Sequence, residues 1–191
     1  MNPSSALNLN IALIHYPVTN KNGEVIASAV TNLDLHDMAR SARTYGVKGF
    51  YVVTPLEDQQ ALAGKLVDHW VSGGGARYNP KRREAMQLVY IRDNLEQVVT
   101  EIGQAEGREP RTIVTCARPQ KGSVTYGELR QALSDGAPAL LLFGTAWGLA
   151  PDCLAAADII LDPVRGAGSY NHLSVRSATA IILDRLCGEF K

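Results

Sequence analysis

Four polar side chains, Tyr170, Asn171, His172 and Ser174, directly precede an apolar run with helical spacing near the end of the sequence. A helix start presents unpaired N–H groups and a partial positive charge, so it suits an anionic group. His172 can exchange a proton near neutral pH, whereas Ser174 or Asn171 can equally cap the helix. The cluster therefore predicts either a binding and proton-transfer site or a capped helix end.

Arg40 is a second candidate, because it lies in a predicted helix that follows Thr31 and Asn32 and precedes Gly46. A guanidinium group is a permanent cation that can bind a phosphate or stabilise negative charge that develops during a reaction. The alternative interpretation is an exposed charge on a solvated helix face.

Glycine-containing turns follow two short apolar runs. Residues 140–143 contain no polar side chain, which is typical of a strand buried in a parallel sheet, and they lead into Gly144 and Gly148. Residues 159–161 end at Asp162 and Pro163. Ligands of open α/β sheets bind where such strands end, so these turns predict a ligand site.

The elements that must position these groups alternate between strands and helices. Alternation of this kind predicts an α/β fold with a mostly parallel sheet flanked by helices, in a single domain over residues 1–191. The predicted strands are residues 9–16, 48–53, 88–91, 112–116, 140–143 and 159–161, and the helices lie at 33–45, 56–71, 95–102, 126–133 and 173–186.

Composition excludes several classes of protein. The 191 residues carry 19 basic and 19 acidic side chains, so any contact with a polyanion must come from a local patch. Three scattered cysteines and histidines without metal-ligand spacing predict neither a disulfide framework nor a metal. No apolar run reaches the roughly 20 residues of a membrane span, and we expect a soluble, cytoplasmic protein.

A basic and aromatic segment, residues 77–83, follows three glycines. We interpret it as a loop whose Arg77, Lys81, Arg82 and Arg83 suit phosphate contacts and whose Tyr78 suits base stacking. A surface charge run without function is the alternative interpretation.

The last third of the chain resembles the SPOUT (α/β-knot) RNA methyltransferases, through its phenylalanine-glycine turn at Phe143, the strand that ends at Pro163, and the closing helix. The motif YNHLSVRSA, residues 170–178, is similar to a stand-alone bacterial branch of that superfamily. Arg40, Gly46 and Val47 match its first motif, although Asp34 stands where the family often has asparagine, with Asn32 as a possible substitute. His172 likewise stands where many relatives have asparagine.

The resemblance implies a deep C-terminal trefoil knot, S-adenosylmethionine as cofactor, an RNA substrate (tRNA or rRNA), and a homodimer in which Arg40 acts across the interface. It implies direct methyl transfer to a base nitrogen or a ribose oxygen, with Arg40, Asn171 and His172 as catalytic residues. The cofactor-binding residues that it implies are Thr115, Cys116, Ala117, Phe143, Gly144, Gly148, Leu161, Pro163, Tyr170, Asn171, Leu173 and Ser174, with Leu161 and Leu173 on either side of the adenine.

Two alternatives stay open at the level of sequence. One is a non-catalytic SPOUT-like domain that binds RNA or another partner, which the neutral net charge and the Asp34 and His172 departures favour. The other is a nucleotide-binding α/β enzyme with an open, unknotted sheet. Arg176 is expected to pair with Asp162, Asp184 or an RNA phosphate.

Overall fold

A six-stranded parallel sheet with helices on both faces forms the molecule in the computed structural model, which describes residues 7–188. The strands of this sheet are β1 (Leu9–Ile14), β4 (Phe50–Val53), β5 (Val89–Arg92), β6 (Arg111–Thr115), β7 (Ala139–Gly144) and β8 (Ile159–Leu161). A small antiparallel hairpin adds β2 (Val18–Thr19) and β3 (Val25–Ile26). The helices are α1 (Asn32–Thr44), α2 (Glu57–Val71), α3 (Gly74–Tyr78), α4 (Pro80–Met86), α5 (Leu95–Glu106), α6 (Tyr126–Ala132), α7 (Pro151–Ala156) and α8 (Val175–Cys187). The predicted α/β fold with a parallel sheet flanked by helices is confirmed.

The strand order is β5-β4-β1-β7-β6-β8, and every neighbouring pair is parallel. β1 and β7 lie at the centre and are buried along almost their whole length, which explains why their sequences are apolar apart from Asn10 in β1. The last three strands of the chain therefore occupy one half of the sheet. Their carboxyl ends meet at a single edge.

The two faces of the sheet pack against different helices. One core contains Leu35, Met38, Leu129, Ile182 and Leu183, which come from α1, α6 and α8, together with residues of α2 and α4. The opposite core is smaller and takes its helical residues from α5 and α7. Alternate residues along each strand serve the two cores, as the period of two requires.

Side-chain caps fix the helices that matter for the site. Thr31 caps α1 by accepting from the Asp34 amide, and Gly46 follows the helix with a φ of 72°. The Val47 amide then donates to the Ala42 carbonyl at 2.9 Å, which is the closing bond of a glycine-terminated helix.

The predicted basic loop is wrong, because residues 77–83 are mostly helical. Asn79 ends α3 and caps α4, accepting from the Arg82 amide, while Pro80 occupies the first position of α4. Asparagine followed by proline is a helix-start signal, since proline lacks the N–H that a first turn leaves unpaired. α7, which also begins with a proline, was not predicted either.

Candidate functional site

A pocket of about 200 Å³ lies between the loop after β6 and the loop after β8. Four of its six lining residues are proline or glycine, so few polar side chains line its walls. The polar side chains that line it belong to Arg165 and Asn171. The complete lining is Pro119, Pro163, Arg165, Gly166, Gly168 and Asn171.

Hydrogen bonds join the two loops across this pocket. The Asn171 side-chain amide donates to the Ala117 carbonyl at 2.7 Å. On the other side, the Val124 amide donates to the Ile160 carbonyl, and the Asp162 amide donates to the Val124 carbonyl. Ser123 also hydrogen bonds to the Asp162 carboxylate. The loop after β6 is thus held by β8 at one end and by Asn171 at the other.

The turn after β7 forms the neighbouring part of this edge. A Cβ on Gly144 would lie 2.7 Å from the Leu149 amide nitrogen, so the turn closes over a residue that has no side chain. The hairpin strand β2 braces the turn from outside, because Thr19 exchanges backbone hydrogen bonds with Trp147 and Gly148. Trp147 itself is 59% exposed.

The polar cluster before α8 is exposed, apart from its bonds to the first turn of the helix. Ser174 accepts from the Ser177 amide at 3.3 Å, which confirms the capping interpretation for that residue. The rings of Tyr170 and His172 stack with centroids 6.3 Å apart, and Tyr170 is 81% exposed. Both rings remain accessible to a ligand that approaches the pocket.

Leu161 and Phe143 differ from the other predicted cofactor residues, because their side chains are buried in the core. At the sheet edge these two residues can present only main-chain groups to a ligand. The Thr115 hydroxyl is already hydrogen bonded within the protein, because it donates to the Leu142 carbonyl at 2.9 Å. Of the predicted residues, Pro163 and Asn171 line the pocket; Pro119, Arg165, Gly166 and Gly168 were missed, although each is close in sequence to a predicted residue.

Arg40 lies on the exposed side of α1. Among the contacts of residues 7–188, its guanidinium makes no hydrogen bond and no ion pair; the bond recorded for this residue is the Thr44 hydroxyl on its carbonyl oxygen. The side chain is close enough to His36, one turn earlier, to lower that group's pKa. The structure does not bring Arg40 into the lining of the pocket of the same chain.

Arg176 pairs with α1, which corrects the expected pairing with Asp162 or Asp184. Its guanidinium lies 3.2 Å from Asp34 and 3.5 Å from Asp37. Asp184 instead accepts from the Tyr45 hydroxyl at 3.0 Å. Asp34 is nearly buried, and a nearly buried carboxylate requires a partner, so the acidic residue at this position is matched by a cation on α8.

His15 directly follows β1, fully buried beneath these helices. Its Nδ1 shares a hydrogen bond of 2.8 Å with the Ser28 hydroxyl, which in turn bonds to the Thr145 hydroxyl at 2.5 Å. Burial lowers the pKa of His15 to about 4, even though the Asp34 carboxylate raises it. This chain of polar groups connects β1 to the turn after β7, and its long sequence separations hide it from sequence analysis.

A sequence-family model described as "SAM-dependent RNA methyltransferase" matches residues 8–188, which is almost the entire chain. The chain belongs to this family. SAM is S-adenosylmethionine, and the match spans both the pocket and the α1 helix that carries Arg40.

Relatives of this SAM-dependent RNA methyltransferase family member differ greatly in length. A protein of Oleidesulfovibrio alaskensis named tRNA (guanine-N(1)-)-methyltransferase is 46% identical over 182 residues, which is 95% of this chain but 42% of the relative. The chain thus spans about two fifths of that relative. An uncharacterised protein of Aquifex aeolicus is 42% identical over 180 residues, covering 94% of this chain and 88% of its own length.

Solved structures show that this family member has the fold of known methylases. A putative methylase family protein from Neisseria gonorrhoeae superposes with a TM-score of 0.63 at 17% identity, covering 99% of this chain and 85% of that chain. The SpoU methyltransferase AviRb from Streptomyces viridochromogenes, solved with the cofactor AdoMet, gives 0.55 at 18% identity, covering 97% of this chain and 58% of that chain. At these identities the likeness concerns the fold.

Within residues 7–188, no three His, Cys, Asp or Glu side chains are grouped so that they could hold a metal ion. In the same range, no helix combines the length and the apolar character that crossing a bilayer requires.

Proposed function

We propose that this chain transfers a methyl group from S-adenosylmethionine to a base nitrogen or a ribose oxygen of a tRNA nucleotide. The observation that carries the proposal is the proline- and glycine-lined pocket, which lies where β6 and β8 end and is bridged by Asn171. Family membership supports the reaction, and the names of the longer relatives support tRNA as the substrate class. Those names describe proteins more than twice as long, so the methylated atom is left to experiment.

The donor groups around the pocket fit the proposed cofactor. Adenine and an amino-acid carboxylate are recognised through hydrogen bonds that backbone N–H and C=O groups can make, and prolines and glycines leave the backbone accessible. Arg165 adds a cation that can pair with a carboxylate. The turn at Gly144 and Gly148 and the residues around Leu173 extend the same binding surface in this proposal.

Few protein groups are needed for the chemistry itself. When bound, S-adenosylmethionine supplies an electrophilic methyl carbon, so the protein has to align the acceptor atom and remove its proton. We assign the alignment to Arg40, whose free guanidinium can hold a phosphate or stabilise the deprotonated acceptor. Asn171 and His172 lie beside the pocket and are assigned to proton handling, with Asn171 positioning and His172 accepting the proton.

A trefoil knot is part of the proposal. β8 lies at the sheet edge beyond β6, and yet α8, which follows it, packs against α1 at the centre of the sheet. On this path the chain passes the loop after β6, which β8 and Asn171 hold from two sides. We infer that residues 162–174 are threaded through that loop.

We also propose a homodimer in which the two α1 helices face each other's pockets. Arg40 has no partner within the described part of its own chain and does not line its own pocket, so a second copy would have to supply the reaction partner. Leu33 is 61% exposed in the first turn of α1, and the exposed Leu173 precedes α8. These two apolar side chains are suited to burial in such an interface. We expect the assembly to act in the cytoplasm.

The test is methyl transfer from radiolabelled S-adenosylmethionine to tRNA taken from a strain that lacks the gene. The wild-type protein should label tRNA, and mass spectrometry of the digested product should identify one modified nucleotide. Calorimetry with S-adenosylmethionine alone provides the second measurement, with Asn171→Ala as the variant that weakens binding. A protein that binds RNA without binding S-adenosylmethionine would be the non-catalytic domain instead, and the proposal would fail.

A further inference from the structure

A cluster of cationic and imidazole side chains surrounds Trp70, away from the pocket. The Arg82 guanidinium carbon lies 4.5 Å from the centre of the indole ring. The rings of His36 and His69 meet the indole at nearly right angles, with centroid distances of 5.4 and 5.1 Å. Three helices contribute, since His36 belongs to α1, His69 and Trp70 to α2, and Arg82 to α4.

The backbone of α3 fixes the position of this indole. A Cβ on Gly75 would lie 2.6 Å from Trp70 Cε3, so the chain can lie against the ring only because residue 75 is glycine. The neighbouring Gly73 is equally tight, since a Cβ there would lie 2.8 Å from the His69 carbonyl oxygen. Gly73 and Gly75 are therefore packing positions that hold His69 and Trp70 in place, whereas a Cβ on Gly74 would meet no atom within 4 Å.

Two nitrogen atoms inside the cluster are buried without a partner. Within residues 7–188, neither Arg82 Nε nor His36 Nδ1 makes a hydrogen bond. A buried donor that lacks an acceptor costs about 1–3 kcal/mol, so its own chain leaves the Arg82 guanidinium incompletely satisfied. Because the two buried atoms are shielded from solvent, an anion would be held by the terminal nitrogens of the Arg82 guanidinium, which also make no hydrogen bond within residues 7–188.

Arginine cations outnumber carboxylates around His36. Partial burial lowers the pKa of His36, and the cations Arg82 and Arg40 lower it further, together with His69. Asp37 is the group that opposes them, and its carboxylate already lies 3.5 Å from Arg176. The cluster thus carries positive charge that the described residues leave largely unneutralised.

Further cations extend this surface. Arg77 and Arg83 are exposed, and like Arg40 and Arg82 they form no ion pair within residues 7–188. Glu84, the carboxylate of α4, forms ion pairs with Lys81 at 2.9 Å and with Arg43 at 3.7 Å, so it does not neutralise the other arginines. Tyr78, 86% exposed, supplies a ring on which a base can stack. We call the surface formed by His36, Arg40, His69, Trp70, Arg77 and Arg82 the Trp70 face.

We propose that the Trp70 face binds a backbone phosphate of the tRNA substrate, with the Arg82 guanidinium as the main contact and Arg77 as a second phosphate contact. This inference rests on the proposed function. Because Arg40 belongs to both regions, a tRNA held on the Trp70 face would lead directly to the residue assigned to the acceptor nucleotide. A neutral protein can bind a polyanion in this way, because the field is local.

The experiment measures binding of unfractionated tRNA by fluorescence anisotropy over a range of KCl concentrations. Arg82→Gln and Arg77→Gln should each weaken binding roughly three- to tenfold and lower the slope of log Kd against log salt by about 0.7–0.9, the value for one lost phosphate contact. Arg108→Gln is the control, because Arg108 is exposed just before β6, at the opposite edge of the sheet. It should change neither quantity.

Two results would overturn the inference. If Arg77→Gln and Arg82→Gln both bind tRNA with the wild-type affinity and salt slope, the Trp70 face serves some other anionic partner, such as an acidic protein. An equal loss of tRNA affinity in Arg108→Gln would show that binding depends on net charge and not on the Trp70 face. Arg77 has no packing role, so its variant remains informative even if Arg82→Gln unfolds. Calorimetry with S-adenosylmethionine separates these results from a failure of the proposed function, since only the latter removes cofactor binding.

Discussion

Arg176 Nη1 lies 3.2 Å from Asp34 Oδ1, and this ion pair joins the first turn of α8 to the first turn of α1. The Thr31 hydroxyl donates to the other carboxylate oxygen at 2.6 Å, so Asp34 serves the cap of its own helix as well. The helix that carries Arg40 is thereby tied to the helix that follows Asn171 and His172. A substitution of Asp34 or Arg176 is therefore expected to disturb the site, although neither residue lines the pocket.

Arg176→Gln should lower the free energy of unfolding by about 1–3 kcal/mol, because it leaves a nearly buried carboxylate with a weaker partner. Urea unfolding measures this. The matched control is Arg43→Gln, which breaks the exposed pair with Glu84 and should cost less than about 0.5 kcal/mol. Equal losses in the two variants would contradict a structural role for the Asp34 pair.

Arg40→Ala should reduce methyl incorporation by about 100-fold or more while leaving thermal stability and S-adenosylmethionine binding unchanged. The reason is that its exposed guanidinium supports no other part of the described fold. Radiolabel incorporation and calorimetry on the same preparations separate catalysis from cofactor binding. Arg43→Ala, one turn away on α1, is the control and should remain active.

Mixed dimers test whether Arg40 acts across the interface. Arg40→Ala and Asn171→Ala are each expected to be inactive, but their heterodimer contains one site with both wild-type residues. A statistical mixture should therefore recover roughly a quarter of the wild-type rate. No recovery after subunit exchange, with heterodimers demonstrated by native mass spectrometry, would place Arg40 in the active site of its own chain.

Gly144→Ala should weaken S-adenosylmethionine binding and lower stability by about 1–3 kcal/mol, because its Cβ would collide with the backbone of Leu149. Differential scanning fluorimetry with and without the cofactor measures both effects. Gly127→Ala provides the comparison, since a Cβ at that helical position meets nothing closer than 3.9 Å. It should be neutral or slightly stabilising. Normal cofactor affinity in Gly144→Ala would remove this turn from the site.

His15 should make the protein less stable in acid. Its pKa is about 4 in the folded chain against 6.5 in an unfolded one, so below pH 6.5 the unfolded state binds a proton that the folded state does not. The stabilisation that neutral His15 gives the folded state is complete above pH 6.5. About 3 kcal/mol of the free energy of unfolding is lost as the pH falls from 6.5 to 4. Urea unfolding of wild type and His15→Asn between about pH 7 and 4 measures it. The variant, already weaker at pH 7, should lose less on acidification; equal slopes would contradict the assignment.

Strands and long helices were predictable because burial dictates their sequences. β1 and β7 are apolar apart from Asn10, since they lie at the centre of the sheet, and β8 was predicted with its observed bounds. The observed boundaries differ from the predicted ones where polar residues stand at the end of a helix or strand. The last helix begins at Val175 because Ser174 is its cap, two residues later than predicted.

The candidate site was less predictable, because contacts between distant residues decide it. Asp34 and Arg176 are 142 residues apart, and no local pattern relates them. The same holds for His15 and Thr145, which meet through Ser28. The loop prediction for residues 77–83 was wrong for the opposite reason. A local helix-start signal, Asn79 followed by Pro80, is present in the sequence, but the charges of this segment favoured the interpretation as a loop.

Four of the six residues that line the 200 Å³ pocket are Pro119, Pro163, Gly166 and Gly168. A synthetic inhibitor seated there would contact few polar side chains and would hydrogen bond largely to main-chain carbonyl groups and to the glycine amides. Point mutations have few side chains to remove from such a contact surface, and bulkier replacements at the glycines would obstruct the natural ligand along with the drug. Resistance would therefore have to arise elsewhere, by altered uptake or by a higher copy number of the gene.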